Sequence, residues 1–152
     1  MGIGIGIGIG SWDVGDRLSA SESAADSIES PWWTTFCPRS RFPHHSLDAY
    51  AVALEALAKA DVLAKKLPRG YGPLCDQLRR SSQSAFLQLA EGVARSGADR
   101  AQRLRGARAE ACEAAACVEA LGRLGLAHAG EVESLLALLG RLAAMLTKLA
   151  AQ

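Results

Sequence analysis

Aromatic side chains are scarce in this 152-residue chain, at 5% of the sequence, while Ala and Leu supply most of an apolar share of 49%. Both are strong helix formers. The imbalance argues against a β-sandwich and for helices packed closely through small side chains. Charge of one sign is also missing, since the formal net charge is only +1. No global field therefore draws the protein toward nucleic acid or a membrane. No apolar run approaches the length that spans a bilayer. The start of the chain lacks the basic and apolar regions of a signal peptide. The cysteines, Cys37, Cys75, Cys112 and Cys117, form no C-x-x-C pair. Three of them fall in helical sequence, where cysteine usually acts as a small buried hydrophobe. That usage fits a reduced, cytoplasmic protein. Cys112 and Cys117 point in different directions on one helix and do not easily chelate one ion. His44 and His45 after a lone Cys37 make a weak ligand pattern. The chain has no Glu-x-x-His motif, no phosphate-cradling loop and no nucleophile–base pair. The expectation is a non-enzymatic protein without a metal, a cofactor or a small-molecule substrate.

What is present divides into two parts. Residues 1–45 form an irregular extension. It opens with MGIGIGIGIG, whose alternation would put every Ile on one face of an extended segment. Such a segment is a poor lone strand, because each Gly costs backbone entropy. Ser, Asp and Glu dominate 13–30, with a short helix expected over Asp16–Ile28. Then comes PWWTTFCPRSRFPHH, where Pro31, Pro38 and Pro43 forbid a continuous helix. Trp32, Trp33 and Phe36 cluster in this otherwise linker-like stretch. They could dock in a groove of this domain or of a partner, or belong to a loosely ordered tail.

Residues 46–152 read as four helices. Ser46 is the expected N-cap of the first, with Asp48 in its first turn. Leu47, Tyr50, Ala51, Leu54, Leu57, Ala58 and Val62 recur at helical spacing as its expected inner face. LPRGYGP, residues 67–73, ends it. The second helix spans about 73–94, with Leu74, Leu78, Ala85, Leu89 and Gly92 as its stripe. The third spans about 98–124, with Leu104, Ala107, Ala111, Ala114, Ala115, Val118 and Leu121 inward. Gly125 ends it. The fourth spans about 131–150, with Val132, Leu135, Leu136, Leu139, Leu142, Leu146 and Leu149 inward. Leu138 and Met145 widen its apolar arc, which hints at a second buried surface and at oligomerisation. Short connections force neighbouring helices to run antiparallel. The expected fold is all-α, an up-down-up-down four-helix bundle.

The stretch LCDQLRRSSQSAFLQLAEG, residues 74–92, carries the most specific pattern. It resembles the bacterial four helix bundle protein family encoded in intervening sequences of large-subunit ribosomal RNA genes. The family pattern is roughly L-x-x-Q-x-x-R-x-x-x-S-I-x-x-N-I-A-E-G. Leu74, Gln77, Arg80, Ser84, Ala90, Glu91 and Gly92 match it. Ala85 stands where Ile is usual, Gln88 where Asn is usual, and Leu89 replaces Ile. In the third helix, Glu113 sits in a small-residue run similar to the family's. The resemblance covers about 47–150. It implies the bundle fold. Through a likeness to the accessory variability determinant of diversity-generating retroelements, it also implies a homopentamer that binds nucleic acid or a reverse transcriptase.

Two residue sets are candidates for function. Gln77, Arg80, Ser84, Gln88 and Glu91 share one side of the second helix. With Gly92 and Glu113 they read as a polar network at a helix or subunit interface. The other set is arginine. Arg79, Arg80, Arg95, Arg100, Arg103, Arg105 and Arg108 fall within thirty residues opposed only by Glu91 and Asp99. Arginine suits phosphate recognition. Arg79, Arg95, Arg100, Arg103, Arg105 and Arg108 are the candidate nucleic-acid contacts. The competing reading gives Arg105 and Arg108 partners in Glu110 and Glu113. With no aromatics interleaved beyond Phe86, stacking on single strands is not supported. The leading expectation is an oligomeric module that binds RNA or DNA, or an enzyme acting on it, through arginine. The rival is a structural assembly protein whose extension links subunits. A third reading makes Glu91 a catalytic carboxylate assisted by Arg80.

Overall fold

A computed structural model describes residues 42–152. The Gly/Ile repeat, the helix expected over Asp16–Ile28, the Trp32–Phe36 cluster and Cys37 lie outside the described residues. A 3-10 turn, Pro43–Ser46, leads into four helices: α1 (Asp48–Lys66), α2 (Gly72–Val93), α3 (Gly97–Arg123) and α4 (Ala129–Ala150). Among the described residues there is no strand. No described helix is long and apolar enough to cross a membrane. Packing runs α1 on α2, α2 on α3, α3 on α4 and α4 back on α1, so the helices form a closed ring around one core. This is the all-α four-helix bundle that the sequence leads one to expect.

The core of α4 follows its sequence stripe. Leu135, Leu139, Leu142 and Leu146 are buried, and Val132, Leu136 and Leu149 pack at the edges. The inner faces of α2 and α3 also follow theirs, with Leu78, Leu89, Leu104, Val118 and Leu121 wholly buried. Where α3 ends, Gly125 takes a φ of 69°, and the Leu126 N–H returns to the Leu121 carbonyl at 2.9 Å. That left-handed residue is the usual glycine stop of a helix. Cys75 and Cys117 are buried as expected, but Cys112 is exposed on α3. Burial, with Glu113 nearby, pushes the Cys117 thiol above its ordinary value.

Helix α1 differs from expectation in two ways. Ser46 does not cap it. The Ser46 hydroxyl donates to the Pro43 carbonyl at 3.0 Å, closing the 3-10 turn, and Leu47 takes the cap position without a side-chain bond. The larger correction concerns the buried face. Ala49, Val52, Ala53, Ala56, Ala60, Leu63 and Ala64 point inward. Tyr50 packs against the core as expected, but the rest of the expected stripe lies toward the other side: Ala51, Ala58 and Val62 are exposed, and Leu47, Leu54 and Leu57 are half-buried. The inward leucines of α2 and α4 explain this arrangement. They fill much of the interior, so α1 comes close mainly through alanines, with Val52 and Leu63 as its larger buried residues.

At the head of α1 an aromatic group ties the incoming chain to the bundle. Tyr50 packs on Phe86 of α2 with ring centroids 5.1 Å apart and on His44 at 4.5 Å. Phe42 stacks on His44 at 5.6 Å.

Candidate nucleic-acid interface

Helices α2 and α3 meet along a seam that is apolar below and polar above. Gly92 makes the close approach possible. A Cβ there would stand 3.0 Å from Leu104 Cδ2 and 3.2 Å from Arg103 Cβ, tighter than ordinary contact, so wholly buried Leu104 would have to give way by a fraction of an ångström. This gives a packing reason for the glycine that ends the 74–92 motif.

Above that contact the polar residues form a ladder. Gln77 donates its amide to Glu113 on α3, and Arg80 donates to the Gln77 carbonyl oxygen. About two turns on, Gln88 Nε2 donates to Ser84 Oγ at 2.8 Å. The Gln88 amide lies over Gly106, where a Cβ would collide with its oxygen. Next, Arg103 Nε reaches Glu91 Oε2 at 3.3 Å. Arg95 Nη1 holds both oxygens of Asp99, at 2.9 and 2.8 Å, and its Nη2 lies 3.8 Å from Glu91. Gln77, Arg80, Ser84, Glu91, Gly92 and Glu113 therefore all lie on one helix–helix seam within the chain. Two guanidinium groups lie beside one oxygen of the exposed Glu91 carboxylate.

Two adjoining hollows follow the outer edge of this ladder, of about 550 and 340 Å³. They share Gln88 and Arg103. Arg80, Arg95, Arg103 and Arg105 line them against two carboxylates, Glu91 and Asp99, so the groove carries excess positive charge. Its lining holds no aromatic ring. Among the described residues, Arg105 has neither an ion pair nor a hydrogen bond. Exposed Arg108, one turn further along α3, has none either, and neither Glu110 nor Glu113 pairs with them.

The arginine set is therefore split. Arg95, Arg103 and Arg105 come together, and Arg80 joins them. Arg79 does not: it turns to the α1–α2 side, 3.3 Å from Asp61 and 3.3 Å from Cys75 Sγ. Asp61 is also held by Lys65 at 2.6 Å, and these partners, Lys65 foremost, keep its carboxyl below the ordinary range. Arg100 is drawn off as well, donating to the Leu149 carbonyl of α4 at 3.0 Å. Four groove residues escaped sequence reasoning: Gln83, Leu87, Gln102 and Gly106. The available signal was a glycine inside a long helix, which costs about 1 kcal/mol against alanine and needs a compensating contact.

The model of the family described as 23S rRNA-intervening sequence protein matches residues 45–148. That span contains the whole bundle core and every residue of the groove. A comparison with curated proteins finds no match.

Proposed function

The chain belongs to the 23S rRNA-intervening sequence protein family, and from that membership we propose a non-enzymatic helical module that grips the phosphate backbone of a structured nucleic acid along the α2–α3 groove. The observation that carries this reading is the state of the groove arginines. Arg95 and Arg103 are fixed by carboxylates, which sets the walls, while Arg105 stands among them uncompensated. A free guanidinium on a rigid helix, facing an open polar hollow, is suited to a phosphate oxygen. Arg108 extends the positive edge along α3. The lack of aromatic lining favours backbone contact with a duplex or folded strand over base stacking. The homopentamer that the family resemblance implies would repeat the groove around a ring and multiply a weak single contact.

Binding of duplex RNA and duplex DNA to the full chain, followed across a salt series, tests this reading. Arg105→Ala with Arg108→Ala is expected to weaken binding uniformly across sequences. The slope of log affinity against log salt should flatten by about 1 per lost phosphate contact. Absence of retention on either duplex at low salt, with the helical signal intact, overturns the proposal.

A further inference from the structure

The outer face of α1 is apolar and uncovered. Leu54, Leu57, Ala58 and Val62 form a ridge along it, and Val62 is 51% exposed. A hollow flanks the ridge on each side. One, of about 420 Å³, is floored by Ala58, Val62, Leu63 and Leu135. The other, of about 350 Å³, is lined by Leu54, Leu57 and Ala58 with Asp61 and Arg79 at its margin. With Leu54 and Leu57 half-buried and Ala58 and Val62 exposed, this ridge leaves apolar surface in water unless something covers it.

We propose that the chain's own segment Trp32–Phe36 covers this face, seating its rings in the two hollows beside the α1 ridge. The composition supplies the first argument. The chain has three tryptophans, Trp12, Trp32 and Trp33, and all precede the bundle. A second copy would present the leucines and valine of its own α1 ridge, since Tyr50 of α1 is already packed on Phe86 and His44, whereas a buried tryptophan covers about 150–250 Å². Ser134 and Asp61, at the margins of the hollows, offer acceptors for indole N–H groups. The tether supplies the second argument. The aromatic group of Phe42, His44 and Tyr50 fixes the chain at the head of α1. From Phe42 back to Trp32 is ten residues, a reach of up to about 33 Å. From Asp48 to Val62 along α1 is about 21 Å. The ridge is within reach, and a tether this short holds the segment at an effective concentration on the order of millimolar. The inference is independent of the nucleic-acid reading, since α1 and the groove use different residues.

Tryptophan emission tests it directly, because the described bundle contains no tryptophan. With Trp12→Phe in the full chain, emission reports Trp32 and Trp33 alone. The expected result is short-wavelength emission, poorly quenched by acrylamide and unchanged on dilution. Leu54→Gln with Val62→Gln should shift it to the red and raise quenching several-fold, with the helical signal retained. If that pair costs helix, Ala58→Glu, on the open ridge, replaces it. Solvent-like emission in the unsubstituted background overturns the proposal, as does emission indifferent to these substitutions. A fall in assembly mass with emission unchanged assigns the ridge to a second copy instead. Reddening on dilution assigns the segment to a neighbouring chain, and either outcome overturns docking within one chain.

Discussion

Helices α1 and α4 are neighbours in the ring, and both carry more apolar surface than one stripe needs. They spend it in opposite ways. In α4 the leucines go inward, and the opposite side is left to residues such as Gly140, Arg141 and Ala144. In α1 the inward residues are mostly alanines, joined by Val52 and Leu63, while Leu54 and Leu57 lie half-buried and Val62 exposed on the outer side. The difference shows that hydrophobic spacing fixes the phase of a helix only when one apolar face exists. When two exist, the choice is made by the volume left between the partners. The leucines of α2 and α4 leave most of the α1 contact room for methyl groups, with space for larger residues only at Val52 and Leu63.

The largest expected effect tests the α4 half of this contrast. Leu139→Ala, at a site 2% exposed, should cost about 2–5 kcal/mol in denaturant unfolding. An equal loss from Leu54→Ala would break the comparison by making the outer ridge of α1 part of the core. The next effect tests α1 directly. Ala60 is wholly buried, so Ala60→Leu should destabilise by about 1–3 kcal/mol through overpacking. A stabilised variant would mean that α1 had space for larger residues and that volume does not set its phase.

The smallest effect concerns the polar staples between the two helices. Lys66 Nζ meets Glu131 Oε1 at 2.5 Å, and Lys59 Nζ donates to Ser134 Oγ at 2.9 Å. The Lys66 contact, aided by the His128 N–H, holds the Glu131 carboxyl below the ordinary carboxylate range. The folded state therefore binds this proton less readily than the unfolded state. The resulting stability is fully present above the unfolded carboxylate pKa, near 4.3, and is lost as pH falls through the lower folded value. Both groups are solvent-accessible, so the expected change is small. Glu131→Gln should melt slightly below the unsubstituted chain at neutral pH, and the gap should close in acid. A gap that persists at low pH would place the effect in the cap of α4 instead of the α1–α4 staple.

Much of the fold was legible because three helices carry one dominant stripe and the breakers at 67–73, 95–97 and 124–130 are strong. The phase of α1 was not, for the reason just given. Ser46 looked like a cap because its type and position fit, yet it belongs to the 3-10 turn from Pro43, and Leu47 stands at the cap position of α1. The seam residues from Gln77 to Glu91 were legible by their spacing of three and four. The division of the arginines was not. Spacing gives the side of a helix, but not that Asp61 waits for Arg79 on α1 or the Leu149 carbonyl for Arg100 on α4. Those partners are distant in sequence, and only the closed ring brings them near.

The seat of Gln88 over Gly106 couples two positions. A methyl group at 106 would meet the Gln88 amide oxygen, the far end of a flexible, half-buried side chain, so the amide would have to swing from its present seat beside Ser84. The strain of that substitution therefore falls on a movable amide and not on the backbone of the seam, and a double-mutant cycle of Gly106→Ala with Gln88→Ala reads the coupling between the two positions.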